Sequence, residues 1–317
     1  MVEKRRHVLL VLLCVLMGTG PVLSAGQRAL PFLLIVPGAR AAALGEAFTG
    51  VARGPEAVSF NPAGLAGETR KQISLQHTFF IDGILYDNLI YLHPHTSGTW
   101  AAQAGFLSVK GLKKTVADPT VADGFAERGD ISTNDMMAAA FYSRNLTPRV
   151  SAGAGAKFAR ESLHDATVTA AAFDLGILYR DGNLPLDVGV SVQNLGATDT
   201  PRTLRAGFSV RKSKTPSFSW VPEDSMAAVD VSRPLYDGDP VAGAGIEIPF
   251  SGKRVTARAG YRYPLAGQHL GHAMSVPGGF ALGFGLDFSG WNADYSASSF
   301  GELGLAHRLS FSIGIGS

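Results

Sequence analysis

Large apolar residues alternate with small or polar residues along most of the second half of the chain. The clearest example is residues 303–315, where leucine, phenylalanine and isoleucine occupy one parity, and mainly glycine, alanine, serine and arginine occupy the other. The same alternation runs through residues 186–193, 203–210, 255–262 and 280–288. Successive side chains of a β-strand point to opposite faces, so each segment predicts a strand that lies between two unlike environments.

These predicted strands are long, and their small-residue face carries charge. They run to about ten residues, the length that crosses a bilayer at a tilt, whereas strands of soluble proteins are commonly about five or six residues long. Arginine and aspartate on that face would be costly in the core of a soluble sandwich, but they are expected in the lumen of a membrane barrel. The pattern therefore predicts an all-β fold, a transmembrane antiparallel β-barrel.

Composition favours the same fold class. Charged residues make up 17% of the chain and hydrophobic residues 46%, yet no internal apolar run approaches the roughly twenty residues of a membrane-spanning helix. A closed barrel is the other structure that spans lipid. The formal net charge is +2 and no basic run extends beyond residues 211–214, which argues against nucleic acid as a partner.

Turn residues divide the chain into about fourteen strand candidates, an even number, as single-chain barrels of this class have. The candidates are residues 71–80, 84–93, 98–110, 134–146, 150–162, 166–180, 185–195, 201–211, 225–233, 241–250, 254–263, 279–289, 291–299 and 303–316. The two longest interruptions, residues 111–133 and 264–278, fall on the same side, which we predict to be the outer side. Residues 211–224 are long for a turn on the other side, so either a strand boundary is wrong there or the barrel has an unusually long inner loop.

Residues 1–25 are typical of an export signal, a signal peptide. Lys4, Arg5 and Arg6 precede an apolar run over residues 8–17, and small residues lead to a predicted cleavage site after Ala25. The apolar run is too short for a membrane anchor. The single cysteine lies inside this segment, so the exported chain would have neither disulfides nor thiolate metal ligands. We therefore expect the protein in a bacterial outer membrane.

Residues 26–70 differ from the rest of the chain because they do not alternate and are rich in glycine and alanine. Residues 39–51 predict a short helix whose small faces pack closely, and Asn61-Pro62 predicts a turn. We expect this N-terminal segment to fold inside or beneath the lumen as a plug or hatch. Residues 71–317 would then form the barrel.

The N-terminal segment carries a motif made of Gly38, Ala39, Arg40, Gly45, Glu46, Phe48, Asn61, Pro62 and Gly64. These residues lie in two runs that resemble the opening block of the PorV/PorQ family of outer-membrane proteins and, more distantly, that of the long-chain fatty acid and toluene transporters. Residues 303–310 resemble the last strand of the same family. The resemblance implies a fourteen-stranded barrel that takes part in protein secretion or surface attachment. The chain departs from the family at residues 53–55, where an acidic pair is usual, and in ending without an aromatic residue.

The chain offers little for catalysis or for cofactor binding. It has no Gly-x-Ser-x-Gly sequence and its eight histidines are scattered, so we predict no catalytic residue and no enzymatic activity. His93 and His95 flank a proline without a carboxylate close in sequence, and we predict no metal site. Residues 38–67 lack the Gly-Lys-Ser/Thr ending of a phosphate-binding loop, so no cofactor is expected.

Charged residues on the polar parity mark the predicted lumen, and they are Lys157, Asp174, Asp187, Arg205, Glu247, Arg258, Arg262, Asp287 and Arg308. We favour a network of ion pairs that rigidifies the barrel over a charged conduction path. Residues 116–128 predict either a docking loop for a partner or a solvated cover. Trp100, Trp220 and Trp291 are expected in the girdles at the lipid interfaces.

Three functions remain open, each with outer-membrane lipid as a partner. The first is a non-enzymatic role in protein secretion or surface attachment, with secreted cargo or secretion-system proteins as partners. The second is a diffusion channel for hydrophobic small molecules, in which the plug is a movable hatch and a strand kinks near Pro185, Pro201 or Pro249 to open the wall. The third is a structural barrel without transport.

Overall fold

The computed structural model describes residues 29–316, apart from residues 112, 122–123, 132, 164–165, 182–184, 197–199, 213–220, 236–238, 251, 253 and 266–277. The predicted export signal and Trp220 lie outside the described residues. In the described part of the chain, no helix is long and apolar enough to cross a membrane.

Sixteen strands account for most of the described chain. In order they are β1 (Lys71–Phe79), β2 (Ile84–His95), β3 (Gly98–Val109), β4 (Lys113–Ala117), β5 (Phe125–Asp130), β6 (Thr133–Asn145), β7 (Val150–Leu163), β8 (Ala166–Arg180), β9 (Leu186–Gly196), β10 (Thr203–Arg211), β11 (Met226–Pro234), β12 (Val241–Phe250), β13 (Val255–Pro264), β14 (Phe280–Phe288), β15 (Trp291–Ser299) and β16 (Leu305–Ile315). Fourteen of them form one closed antiparallel barrel, in which β1 pairs with β16. The predicted fourteen-stranded barrel is confirmed.

Connection lengths distinguish the two ends of the barrel. Short connections, such as residues 96–97 and 289–290, lie at what we call the inner end, where Gly290 makes a tight turn with a φ of 102°. The long connections over residues 110–132 and 265–279 lie together at the outer end, and the first contains the separate hairpin of β4 and β5. The connection of residues 212–225 lies at the inner end, so it is an unusually long inner connection and not an error in a strand boundary.

The barrel wall separates an apolar outside from a filled inside. On β1, Leu75 is 56% exposed and points outward, whereas its neighbours Ser74 and Gln76 are buried on the lumen side. Because side chains alternate along a strand, most of the exposed leucine, isoleucine and phenylalanine side chains share the outer face. This outer face is the apolar belt that a membrane barrel presents to lipid.

The lumen face of β2, β3 and β6 differs from the sequence-based prediction of a polar lumen. On β2, β3 and β6, the lumen face carries Ile90, Leu92, Leu107 and Phe141, all of them buried. These side chains pack against apolar residues that lie inside the barrel. The prediction is wrong for these strands because their lumen face meets protein instead of water, so apolar side chains are favourable there.

Residues 30–67 occupy the lumen, and we call this segment the plug. It contains the helix α1 (Ala39–Ala43) and three short 3-10 helices, Pro31–Leu34, Pro55–Ser59 and Pro62–Gly67. Most of its side chains are buried, and they build three apolar clusters with the wall. In one of these clusters, the rings of Phe32 and Tyr86 meet edge to face with centroids 6.4 Å apart.

Glycines on the lumen face of the wall make room for the plug. A Cβ atom at any of seven described wall glycines would come within 3.0 Å of a plug atom, closer than real Cβ atoms approach other atoms. These glycines are Gly153, Gly176, Gly189, Gly243, Gly245, Gly260 and Gly283. The small-residue parity of the sequence therefore has a packing cause, which is the close approach of a second backbone.

The barrel pairing has one register shift among the described strands, between β8 and β9. Phe173 pairs with Leu195, but Leu175 pairs with Val192, so one residue of β8 faces two of β9. At this β-bulge Asn194 has a φ of 56°, in the left-handed region that asparagine enters more readily than most residues.

None of the three prolines breaks the wall. Pro185 and Pro201 lie outside the strands, and Pro249 pairs with Thr256 in an unbroken register near the end of β12. The prediction of a kink at one of these prolines is therefore wrong. Pro185 and Pro201 lie beyond strand ends and so remove no hydrogen bond from the ladder, whereas Pro249 lies next to the last residue of β12.

A Gly260→Val substitution tests whether the plug fills the lumen. The new side chain would meet the backbone of Leu44 and Gly45, so we expect the free energy of unfolding to fall by about 1–3 kcal/mol. Ala257→Val, on the exposed outer face of the same strand, is the matched control and should change little. Denaturant unfolding in detergent measures both variants, and equal stability would contradict a filled lumen.

Candidate functional site

Two cavities lie on opposite sides of α1. The outer cavity, of about 270 Å³, is lined by Ala42, Gly45 and Glu46 of the plug and by residues of β12–β16 near the outer end. The inner cavity, of about 300 Å³, is lined by Arg40 of the plug and by residues of β10 and β12–β15 near the inner end. Helix α1 thus separates two cavities that share one stretch of the wall.

The small side chains of α1 allow it to pack closely against that wall. Four of its five residues are alanine, and Ala43 lies beside Gly283. The helix is followed by Gly45, which has a φ of 63° and lies so close to the backbone of Tyr261 that no Cβ would fit. Because neither α1 nor the lumen face of the wall has a large side chain at these positions, the helix lies directly on the strands.

A buried carboxylate holds the start of α1. The residue before the helix, Gly38, has no side chain to accept hydrogen bonds from the first turn. Glu56 accepts them instead, from the backbone N–H groups of Arg40 at 3.2 Å and Ala41 at 2.8 Å. Sequence reasoning missed Glu56, although it falls between the two runs of the motif, because capping by a residue from another element has no fixed spacing.

A chain of alternating charges ties α1 to the wall. Arg40 donates two hydrogen bonds to Glu247, from Nε to Oε2 at 2.8 Å and from Nη2 to Oε1 at 3.0 Å. Arg258 donates to the same Glu247 oxygen at 2.7 Å and to Asp294 Oδ1 at 2.6 Å. The structure therefore joins the predicted residues Arg40, Glu247 and Arg258 in one cluster. Asp294 was missed, although its lumen parity on β15 marks it.

A second carboxylate anchors the plug beyond α1. Asp230 on β11 accepts hydrogen bonds from the backbone N–H groups of Phe48 at 3.0 Å and Thr49 at 2.6 Å. Phe48 itself packs against Phe60 of the plug, with ring centroids 5.3 Å apart. Asp230 was not among the predicted residues, because the sequence does not reveal that this strand meets the plug backbone.

A third cluster lies at the β-bulge. Lys157 and Asp174 form an ion pair with Nζ and Oδ2 at 2.6 Å. Lys157 also donates to Asn194 Oδ1 at 3.0 Å, and the backbone N–H of Asn194 donates to Asp174 Oδ1 at 2.8 Å. These contacts satisfy the polar groups that the extra residue brings into the lumen.

The remaining predicted lumen charges are dispersed. Asp187 pairs with Arg53 of the plug at 3.1 Å near the inner end, and Arg262 lies 3.5 Å from Glu46. Asp287 is exposed beside the inner cavity.

Two buried arginines have no carboxylate within ion-pair distance in the described part of the chain. Arg205 donates from Nε to Gln193 Oε1 at 2.9 Å and lies over the ring of Phe60. Arg308 donates from Nε to the carbonyl of Val36 at 2.8 Å. The ion-pair network predicted from the sequence therefore includes most of these charges but leaves two cations without a carboxylate.

The other motif residues fix the turns of the plug. Asn61 Oδ1 accepts from the backbone N–H of Ala63 at 3.1 Å, and Asn61 Nδ2 donates to the carbonyl of Ile177 on the wall at 3.0 Å. Pro62 opens the last 3-10 helix. A Cβ on Gly64 would collide with the backbone of Ala52. The motif is therefore a set of packing and turn positions rather than a set of reactive groups.

The histidines considered as metal ligands lie outside the lumen. Nδ1 of His93 lies 3.1 Å from the hydroxyl oxygen of Tyr91, and Nδ1 of His95 lies 3.0 Å from Ser97 Oγ, both in exposed surroundings. Among the residues that the structure describes, no group of three or more histidine, cysteine, aspartate or glutamate side chains is placed to hold a metal ion.

Comparisons with known proteins support the fold. The chain matches no protein-family model and no curated protein. It is similar to the solved structure of the toluene transporter TodX of Pseudomonas putida, with 14% identity over 83% of this chain and 95% of that one, and a TM-score of 0.56. It is also similar to the CymD monoaromatic hydrocarbon channel, with 12% identity over 83% of this chain and 94% of that one, and a TM-score of 0.52.

At this level of identity the likeness shows the fold alone. That fold is a closed antiparallel β-barrel. The resemblance of the N-terminal motif to the PorV/PorQ family stays a prediction.

Replacing Glu247 tests the charge chain that holds α1. Glu247→Gln removes the buried carboxylate that pairs with both Arg40 and buried Arg258, so we expect the free energy of unfolding to fall by about 3–5 kcal/mol. Arg53→Gln removes the partner of Asp187 that is 44% exposed, and Asp187 keeps Arg180 at 3.8 Å, so this change should cost about 1 kcal/mol or less. Chemical unfolding in detergent compares the two, and an equal loss would contradict the buried network.

Proposed function

We propose that this protein is a non-enzymatic channel of the bacterial outer membrane that conducts small molecules with an apolar body, and that α1 is its gate. The observation that carries the proposal is the position of α1 between the outer and inner cavities. If α1 moves away from the wall, the two cavities become one path along β12–β15. Gly243, Gly245, Gly260 and Gly283 would line that path and leave it free of bulky side chains.

The contacts of α1 suit a segment that moves. Its own side chains are four alanines and Arg40, so leaving the wall exposes little apolar area. When Arg40 departs, Glu247 still accepts from Arg258, so the carboxylate is not left without a partner. Opening also breaks the hydrogen bonds from the backbone N–H groups of Arg40 and Ala41 to Glu56. The ion-pair part of the cost is nevertheless below that of breaking an isolated buried ion pair.

The rest of the plug is anchored more firmly. Val58 and Leu65 of its last two 3-10 helices belong to an apolar cluster with Ile90, Leu92 and Phe141 of the wall. Removing such side chains from a packed core costs roughly 1.5–3 kcal/mol each. We infer that α1 moves while residues 55–67 stay in place.

The structural neighbours support the channel over the other candidate functions. TodX is described as a toluene transporter and CymD as a monoaromatic hydrocarbon channel, and both share this fold. Outer-membrane location agrees with the lipid-facing belt and with the predicted export signal of residues 1–25. Under this proposal outer-membrane lipid surrounds the barrel, and hydrophobic small molecules are its cargo.

A disulfide between α1 and the wall tests the gate. The backbone N–H of Ala39 donates to Ser310 Oγ at 2.9 Å, so these two residues are in direct contact, as an engineered disulfide requires. In cells that express Ala39→Cys/Ser310→Cys, oxidation should reduce uptake of radiolabelled toluene to the level of cells without the protein, and reductant should restore it. Each single-cysteine variant is a control, and its toluene uptake should not change when the oxidant is added. Unchanged uptake by the locked barrel would contradict the gate.

A role in protein secretion or surface attachment is the second candidate, and the hairpin of β4 and β5 favours it. The hairpin extends from the outer end with Phe125 64% exposed, together with exposed Val116 and Val121. Exposed apolar side chains on a loop are typical of a surface that docks a partner. The PorV/PorQ resemblance implies that such partners would be secreted cargo or secretion-system proteins.

Purification from the native host in mild detergent tests this second role. If the hairpin docks secreted proteins, the wild-type barrel should recover proteins with a shared C-terminal sorting domain, and Val116→Ser/Phe125→Ser should lose them. Lys114→Ser, a polar change on the same hairpin, is the control and should keep them. Identical recovery by all three proteins would contradict docking at this hairpin.

A further inference from the structure

One buried arginine faces the outer cavity without a carboxylate in direct contact, although Glu46 lines the same cavity. Arg308 on β16 is 2% exposed and lines this cavity. Its guanidinium donates to the carbonyl of Val36 and, from Nη1 at 3.0 Å, to Ser298 Oγ. Within the described residues, no carboxylate oxygen lies at ion-pair distance. A buried cation without an anion is costly, so an anion bound beside it would gain both hydrogen bonds and charge compensation.

The other charged residues around the outer cavity are mostly paired with one another. Arg262 lies 3.5 Å from Glu46, so this pair is close to neutral. Asp239, in the connection between β11 and β12 at the outer end, is the remaining charged residue among the described lining residues and is half-buried. The deeply buried positive charge of Arg308 is therefore the charge available to a ligand inside the outer cavity.

The rest of the lining selects for an apolar body. Five of the thirteen described lining residues are apolar, and they are Ala42, Val241, Pro264, Ala281 and Phe300. A volume of about 270 Å³ equals that of about nine water molecules at about 30 Å³ each. The cavity therefore has room for a compact ligand.

We propose that the outer cavity binds a small organic anion, with its acidic group on Arg308 and its apolar body against the alanine, valine and proline walls. Guanidinium groups pair with carboxylates through two parallel hydrogen bonds, so a compact aromatic carboxylate fits this site. A neutral molecule of the same shape leaves Arg308 uncompensated and binds less tightly. The inference rests on the proposed channel, because it assigns the substrate class that enters the path toward α1.

Titration calorimetry on the purified full chain in detergent tests the site with benzoate as the probe. Benzoate should bind saturably, and benzyl alcohol, a neutral molecule of similar size, should bind at least about tenfold more weakly. Arg308→Gln should weaken benzoate binding by about tenfold or more, and Arg308→Lys should retain part of it. Arg205→Gln also removes a buried lumen arginine without a carboxylate, but Arg205 lines a separate cavity of about 20 Å³, so benzoate binding should stay unchanged.

A second variant keeps the test decisive if Arg308→Gln does not fold. Val241→Phe fills the cavity without altering its charge, and it should also abolish benzoate binding. Absence of binding to the wild-type protein, equal affinity for benzyl alcohol, or insensitivity to both variants would overturn the site.

Flux separates the site from the channel. Saturable benzoate binding without benzoate flux into liposomes would support the site and contradict the channel. Benzoate flux without saturable binding would support the channel and contradict the site.

Discussion

A closed sheet satisfies the backbone hydrogen bonds of every barrel strand in lipid, but it also encloses a lumen that must be filled, lined or left to water. In this protein the filling of the lumen by residues 30–67 is the constraint on which the rest of the structure depends. It explains the glycines of the wall, which lie where a second backbone approaches. It also explains the apolar lumen face of β2, β3 and β6, which would be unfavourable in a water-filled pore.

Filling a barrel with backbone creates polar groups that need partners away from bulk water. The wall and the plug meet this need with carboxylates that accept from plug N–H groups, as Glu56 and Asp230 do. The longer charge chain from Arg40 through Glu247 and Arg258 holds α1 to the wall, where the helix has little apolar surface to bury. The same polar construction leaves α1 easier to move than the segments packed by leucine and phenylalanine.

The strands were predictable from the sequence to within about two residues at most ends, because the period of two and the turn residues are local signals. The plug was predictable as a separate segment, since residues 26–70 do not alternate. The contacts of the plug could not be predicted, because Asp230 and Asp294 lie next to their partners only in the folded, closed barrel. The bulge at Asn194 was missed for a similar reason, since no proline or glycine marks it and the pairing of two strands defines it.

Backbone hydrogen exchange of the protein in lipid nanodiscs, followed by mass spectrometry, tests the central claim most directly. Amides exchange through local opening, so their rates report which segments leave the packed state. If α1 is the mobile part of a plug that fills the lumen, residues 39–45 should exchange at least about tenfold faster than residues 55–67 and the barrel strands, but more slowly than a free peptide. Exchange of residues 39–45 as slow as that of the strands would contradict a gate at α1, and exchange of all of residues 30–67 at free-peptide rates would contradict the filled lumen itself.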